Sequence, residues 1–500
     1  MRKRSLVLVT VDCLRADHVG FLGYKRQVTP FLDSLAEDSA VFTQAIVAGA
    51  PTYFSFPAIM ASRYALSLGR DMLGIAPNEP TLATALRESG YQTAAFLAGN
   101  PYLTRRFGYR QGFDQFHDFL GAALPGERQA PIVHADKRPS GLNRRLQAAS
   151  RRARLTAAAY DELYFWYCQW RSTCENLSMD ELRRYPAADV IVGQACSWLG
   201  QLGDQPFFLW LHLMDPHHPY YPPQAALSSL GVLDISARRA RFLNSFWDRG
   251  DIGSRRLQRL RAEILLLYDA GVYWVDKQIS RLADSLRVGQ RWDETVFVVT
   301  ADHGEEFLEH DARYHFPESL PEQLIRVPLL VRAPGVTGVR ISKQPFSLIH
   351  LAPTLLEVLD VAVPETFQGQ SRWKQIVAAD LPSEPAIVES IEACNNPFRL
   401  EDRIRPRLLA IRDRECKLVI HFSDETSCLY DLENDPGERS ALPIGARTRE
   451  RVRLLQAARM HLKKTNHNRN AELILRARVD ELRQTIEMRR PAATTSPVLT

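Results

Sequence analysis

Asp302 and His303 stand side by side in Thr300-Ala-Asp-His-Gly-Glu-Glu-Phe-Leu-Glu-His310, with Glu305, Glu306, Glu309 and His310 close behind. A carboxylate next to an imidazole is a ready pair of ligands for a divalent first-row cation. The same residues also suit a plainer role, an acidic loop opening a helix with Asp302 as its cap. A second carboxylate, Asp12, ends the apolar run Ser5-Leu-Val-Leu-Val-Thr-Val11 far earlier in the chain. A third polar cluster, Asp215-Pro-His-His-Pro-Tyr-Tyr-Pro-Pro223, closes the run Phe207-Phe-Leu-Trp-Leu-His-Leu-Met214.

These clusters need elements that bring them together. Residues 5–11, 207–214 and 295–300 are β-branched and aromatic without alternation, which reads as buried parallel strand. Residues 41–47 and 92–97 read as further strands. In an open α/β sheet, ligands sit beyond the carboxyl ends of the strands, so Asp12, Asp302 and the proline-fixed loop after Met214 would share one edge. Helices are expected at 29–36, with Thr29 as N-cap and Pro30 in the first turn, and at 52–61, 81–90, 187–198 and 255–287. The fold class is α/β, a large central and mostly parallel sheet flanked by helices. His212 lies within an apolar strand and reads as a core histidine; His218 reads as facing solvent. Residues 407–412, 416–421 and 428–432 are short runs separated by turns, the last being Asn434-Asp-Pro-Gly437. They predict a small antiparallel sheet with a terminal helix.

The expected division is 1–375 for a catalytic domain, 376–462 for a small α+β subdomain, and 463–500 for a basic helix and disordered tail. Residues 122–185 form an insertion in which Arg144, Arg145, Arg151, Arg152 and Arg154 precede an aromatic stretch. A basic amphipathic helix there could cap the substrate, form an interface or rest peripherally on a membrane surface. The chain has 500 residues and a formal net charge of +5, a slight excess that does not argue for nucleic acid. Seven cysteines without regular spacing form neither a disulfide framework nor a zinc pattern. Met-Arg-Lys-Arg is charged like a signal n-region, but the apolar run after it is short and ends in Asp12, so it reads as the first strand. No stretch has the length of a membrane span. These features predict a reduced, cytoplasmic enzyme.

Four separated motifs together resemble the sulfatase branch of the alkaline phosphatase superfamily, over roughly residues 5–440. They are Val11-Asp-Cys-Leu-Arg-Ala-Asp-His-Val-Gly20 with Thr29-Pro-Phe-Leu32, then Asp302-His-Gly304, then Glu322-Gln-Leu-Ile-Arg-Val-Pro-Leu329. The resemblance implies an alkaline-phosphatase-like fold and a divalent metal held by Asp12, Asp302, His303 and Thr52. Thr52 aligns with the Cys or Ser that relatives convert to formylglycine; Phe54 and Phe56 stand where that motif has proline and arginine. Ser55, in Ser55-Phe-Pro57, offers a competing register. Without the arginine, conversion is not expected, and a threonine there resembles the phosphodiesterase and phosphoglycerol-transferase relatives whose hydroxyl is itself nucleophile and ligand. A metal-bound hydroxyl is activated by a lowered pKa; the plainer alternative is that Thr52 merely caps its helix.

His217 matches the family's active-site histidine, and His315 a position that contacts the substrate anion. His310 is a weaker candidate for a second metal, and Arg326 is read as tying a loop to the sheet. The lysine and histidine that hold aryl sulfates have no counterpart near Asn100, Arg105 and Arg106. Cys13 replaces a second aspartate, which Asp17 could supply instead. The remaining mixed oxygen and nitrogen set favours Mn²⁺ or Zn²⁺ over Ca²⁺ or Mg²⁺. The resemblance thus implies a metal-dependent hydrolase of sulfate or phosphate esters with a covalent threonine intermediate. Its substrate would be an anionic ester of a small molecule, glycan or lipid. A phosphodiesterase or phosphoalcohol transferase, and an inactive anion-binding pseudoenzyme, are the alternatives.

Overall fold

The computed structural model describes residues 3–69, 72–120, 149–150, 154–172, 177–316, 318–336, 338–341 and 344–467. In chain order the first strands are β1 (Ser5–Val11), β2 (Ala40–Ile46), β3 (Gln92–Leu97), β4 (Gln115–His117), β5 (Phe207–Leu213) and β6 (Thr295–Ala301). A ribbon of β7 (Glu306–Phe307) and β8 (Arg313–Tyr314) follows, then β9 (Arg326–Arg332), β10 (Val339–Ile341) and β11 (Phe346–Ser347). Nine of these form one sheet in the order β10-β2-β9-β6-β1-β5-β3-β4, with β11 also on β2. β1 runs parallel to both β5 and β6. β9 is antiparallel to β2 and β6, so the sheet is mixed but mostly parallel.

Every residue of β1, β5 and β6 is buried, which is why their sequences do not alternate. Their register sets the site. Val11 pairs with Leu213 on one side and Ala301 on the other. The three strands therefore end level, and Asp12, Met214 and Asp302 leave them at the same edge.

Thr29 precedes helix α1 (Pro30–Glu37) but its side chain does not cap it. The hydroxyl accepts from the Gly20 N–H at 2.8 Å and donates to Asp33 at 3.0 Å. The first helical N–H groups, Phe31 and Leu32, donate instead to the two oxygens of Asp276 at 3.0 and 2.9 Å. Asp276 belongs to the long helix Arg261–Val288, so one helix caps another. Burial pushes its carboxyl up to about 7, against the pull of those Leu32 and Phe31 bonds. The folded state then holds this proton more tightly than the unfolded chain, where an Asp titrates near ~3.9. The group's contribution to stability should fall as pH rises from the unfolded value through the folded one. Asp276→Ala is expected to cost about 1–3 kcal/mol by orphaning two N–H groups, read as a lower urea midpoint. The isosteric Asp276→Asn should remove part of the pH dependence of that midpoint between acid and neutral pH.

The C-terminal strands β12 (Ala386–Ile391), β13 (Arg407–Arg412), β14 (Cys416–His421) and β15 (Thr426–Asp431) form an antiparallel sheet in sequential order. Leu454 and Ala458 of the terminal helix Thr448–His467 pack on its Leu409, Ile411, Leu418 and Leu429. This sheet is tied firmly to the larger one. Lys417 is fully buried, bonds Glu438, and donates to the Leu320 carbonyl at 2.6 Å. Of the Arg-rich insertion, Arg144, Arg145, Arg151 and Arg152 lie outside the described residues, as does the tail from 468. The aromatic stretch forms the helix Arg154–Ser172, on which Trp166 and Trp170 are exposed. Among the described residues, no helix is long and apolar enough to cross a membrane.

Candidate active site

Asp12 and Asp302 are both fully buried where β1 and β6 end. His303 follows at once, with Nε2 3.6 Å from Asp12 Oδ1 and 3.6 Å from Asp302 Oδ2. Its Nδ1 lies 2.8 Å from the Gly304 carbonyl. That bond assigns the ring proton to Nδ1 and leaves the Nε2 lone pair toward the carboxylates. Thr52 is the first residue of helix α2 (Thr52–Ala61), whose cap position is Pro51. Its hydroxyl is therefore not spent on capping and sits 3.1 Å from His303 Nε2. Ser55 lies further into α2, buried, with an unpartnered hydroxyl. The fold brings Thr52, not Ser55, to His303.

Further side chains hold Asp12. His212 places Nε2 3.2 Å from Asp12 Oδ2 and Nδ1 3.0 Å from Thr10 Oγ1. It is as buried as a core residue, but the pairing of His212 with Thr10 sets its ring beside Asp12. Asn100 Nδ2 donates to Asp12 Oδ2 at 2.9 Å. Cys13, at φ 60°, turns its Sγ back to 3.2 Å from Asp12 Oδ1 and 3.5 Å from His315 Nδ1. Its position directly after a ligand candidate was the signal available in the sequence; Asn100 and His212 offered none beyond residue type. Asn100→Ala is expected to weaken divalent-metal affinity about 10–100-fold, as loss of a ligand's orienting partner does, read by competition with a chelating dye.

Three expectations need correction. Asp17 does not replace the missing carboxylate, because Arg15 grips both its oxygens at 2.8 and 2.7 Å. His310 is not free for a second metal; its ring nitrogens meet Glu306 and the Gly437 carbonyl, each at 2.9 Å. His218 does not face solvent but pairs with Asp248 at 3.0 Å and packs on Tyr314. Arg105 and Arg106 are exposed.

His217 and His315 lie with ring centroids 5.0 Å apart, and His315 is 4.6 Å from His303. His217 donates Nδ1–H to the His218 carbonyl. His315 Nδ1 is 3.3 Å from Glu305 Oε1, whose other oxygen accepts from the Tyr220 hydroxyl at 3.2 Å. Burial lowers the pKa of both rings despite the carboxylates of Asp12 and Glu305. Burial pushes the Cys13 thiol well up, helped by Glu305 and Asp12.

The two aspartates diverge. Burial alone would raise Asp12, but His217, the His212 bond and His303 hold it well below the usual carboxylate range. Asp302 is raised by burial and by Asp12, and its Oδ2 has no hydrogen-bond partner. A bare carboxylate oxygen buried against a second carboxylate is costly without a positive partner. Asp12, Asp302, His303 and Thr52 thus fit a divalent cation. Beside them lies a cavity of about 200 Å³, lined by Thr52, Asn100, His217 and His315 and walled by Tyr53 and Tyr102.

The "Sulfatase" family model matches residues 4–361, well over half of the chain. The chain belongs to the sulfatase family. A second model, "N-sulphoglucosamine sulphohydrolase, C-terminal", matches residues 305–465. The uncharacterized sulfatase YidJ of Escherichia coli is 24% identical over 466 residues, covering 88% of this chain and 82% of YidJ. An arylsulfatase of Clostridium perfringens is 24% identical over 493 residues, covering 91% and 93%. The phosphonate monoester hydrolase of Agrobacterium radiobacter shares the fold with a TM-score of 0.63 at 20% identity, over 93% of this chain and 96% of that one. The mixed sheet with its small antiparallel partner is the alkaline-phosphatase-like sulfatase fold. The protein is accordingly a sulfatase-family ester hydrolase, in a family that binds a divalent metal.

Proposed function

We propose that this sulfatase-family enzyme is a metal-dependent hydrolase of monoanionic esters that works through a covalent ester of Thr52, with phosphodiesters as its preferred class. The observation that carries the reading is the Thr52 hydroxyl, uncommitted to capping and 3.1 Å from His303 Nε2, beside two buried carboxylates. A divalent cation held by Asp12, Asp302, His303 and Thr52, Mn²⁺ or Zn²⁺ by this mixed donor set, supplies the charge that activates a hydroxyl.

Thr52 Oγ1 attacks the phosphorus or sulfur, and the new bond forms as the bond to the leaving alcohol breaks. The hydroxyl proton leaves with that alcohol. Water then cleaves the threonyl ester, returns a proton to Oγ1 and releases the acid; an acceptor alcohol in place of water would make the same site a transferase. The N-terminal turn of α2 behind Thr52 presents N–H groups to ester oxygens. His217 and His315 line the cavity and face the transferred group.

Substrate charge follows from the lining, which contains no Lys or Arg among the described residues. A sulfate monoester and a phosphodiester each carry a single charge and suit it; a dianionic phosphate monoester does not. Tyr53, Tyr102, Tyr185 and Phe316 offer apolar and hydroxyl surface to the alcohol, as a sugar or lipid headgroup would use. The described cysteines are free, with Cys13, Cys394 and Cys416 buried, which supports a reducing, cytoplasmic setting. The deciding experiment compares a matched aryl sulfate and aryl phosphodiester with added Mn²⁺. Faster phosphodiester turnover is the expected result, and preferential sulfate turnover would overturn the preference.

A further inference from the structure

We propose that the helix α3 (Arg154–Ser172) is a docking surface for an anionic lipid bilayer, on which it lies with its aromatic face in the headgroup layer. This is independent of the nucleophile and the cation assigned above.

One face of α3 is committed to the protein. Phe165 packs edge-on against Phe242 and Phe246, with ring centroids 5.9 and 5.5 Å apart. The Arg249 guanidinium lies over the same ring at 4.7 Å. Glu162 pairs with Arg249 at 2.8 Å and with Arg256 at 3.2 Å. These partners come from α4 (Ala237–Trp247), α5 (Ser254–Leu257) and the turn between them.

The other face carries Leu163, Trp166, Tyr167 and Trp170, spaced i, i+3, i+4 and i+7 and so aligned in one stripe. In a surface helix of a globular protein a stripe at that spacing faces the core. Here its members are 72%, 49%, 51% and 67% exposed. Trp166 stands at the rim, stacked on Phe242 with its indole N–H donated to Glu162 at 3.0 Å. A contiguous exposed apolar surface of this kind marks a site of interaction.

Composition and charge select the occupant. Tryptophan and tyrosine, each an apolar ring with one polar atom, are the side chains that settle at a membrane–water interface. The stretch 237–263, which holds α3 in place, has eight arginines against three carboxylates, an excess equal to the +5 of the whole chain. All three carboxylates are taken, Asp248 by His218, Asp251 by Arg249 and Glu263 by Arg239. Arg238, Arg255 and Arg259 are exposed and make no ion pair among the described residues. Basic side chains beside an aromatic and apolar face complement an anionic lipid surface. A second copy of the chain would set one arginine cluster against another, and like charges brought together oppose association.

The helix is also docked at the edge of the sheet that carries the pocket. Asp248, next to Arg249, pairs with His218 and accepts from the Tyr314 hydroxyl. Those two residues adjoin His217 and His315, which line the cavity. A bilayer bound to α3 therefore lies on the pocket's side of the protein.

The test floats the full chain with vesicles of phosphatidylcholine, alone or with phosphatidylglycerol added. Wild type is expected to bind the anionic vesicles about tenfold or more tightly than the neutral ones, and added salt should weaken that binding. Leu163→Ser combined with Tyr167→Ser should lower the affinity about tenfold or more, by removing apolar area that enters the interface. Arg255→Gln combined with Arg259→Gln should reduce the preference for anionic lipid and leave binding to neutral vesicles as it was. An unchanged Tm is the check that each variant folds, and Trp170→Ser serves as a further variant should the paired serines lower it. A wild type that stays unbound with both compositions overturns the proposal, as does binding that the paired serines leave intact. A wild type that ignores vesicles yet sediments as a dimer, broken by the same serines, also overturns it and assigns the face to a second copy.

Discussion

Thr52→Ala is expected to lower phosphodiester turnover by a factor on the order of 10⁴ or more, since it removes the atom that forms the covalent intermediate. KM should change far less than kcat, because the cavity walls stay in place. The variant should also fold normally. Thr52 is buried and precedes no cap bond, and alanine is a better helix former than threonine. Quenching wild type during turnover should trap a phosphate or sulfate on Thr52, detectable by peptide mass, and the variant should show none. Full activity in Thr52→Ala would move the nucleophile elsewhere, with Ser55 the next hydroxyl along α2.

Asp302→Asn should act in two opposite directions at once. It removes a proposed metal ligand, so binding of the cation shared with Asp12 and His303 and the activity should both collapse, activity by about 10³-fold or more. In the metal-free protein the same change relieves repulsion between two buried carboxylates, one with a bare oxygen. Replacing such an uncompensated charge with a neutral amide is expected to stabilise the fold by about 1–3 kcal/mol, seen as a raised Tm without metal. Added Mn²⁺ should then raise the Tm of wild type and leave that of the variant nearly unchanged. A variant that is less stable without metal would mean that Asp302 is satisfied by protein groups and is not held ready for a cation.

The scaffold of this centre was legible because fully buried parallel strands write themselves as unbroken apolar runs. β1, β5 and β6 are such runs, and each is followed at once by polar residues, so Asp12 and Asp302 could be set on one edge. What could not be read was lateral. His212 looks like any buried residue of an apolar strand; only its register against Thr10 shows that it reaches Asp12. Asn100 comes to the same carboxylate from the loop after β3, and no spacing rule links the two. Strand direction was equally hidden, since nothing in Arg326–Arg332 marks β9 as antiparallel. Thr29 has the identity and place of a helix cap, yet a carboxylate 245 positions beyond Phe31 does that work. Local propensity names a role that a packed neighbour can take over. His310 and His218 failed for the same reason, each claimed by a partner remote in sequence.

The level ends of β1, β5 and β6 also set the order of events during synthesis. β1 leaves the ribosome long before either strand that flanks it. Its contacts with β5 span about two hundred positions, as Thr10 to His212 does at 202, and those with the β6 edge span 290 from Cys13 to His303. At ordinary translation rates the second partner arrives roughly 15–60 s after the first strand. Until β5 arrives, this largely apolar seven-residue segment has neither of its two neighbouring strands to pair with, which is the profile of a segment that binds chaperones or aggregates. The catalytic edge is then completed in a single late step, when β6 slides in beside β1 and carries Asp302 to Asp12. A nascent chain halted before residue 295 would have no metal centre at all.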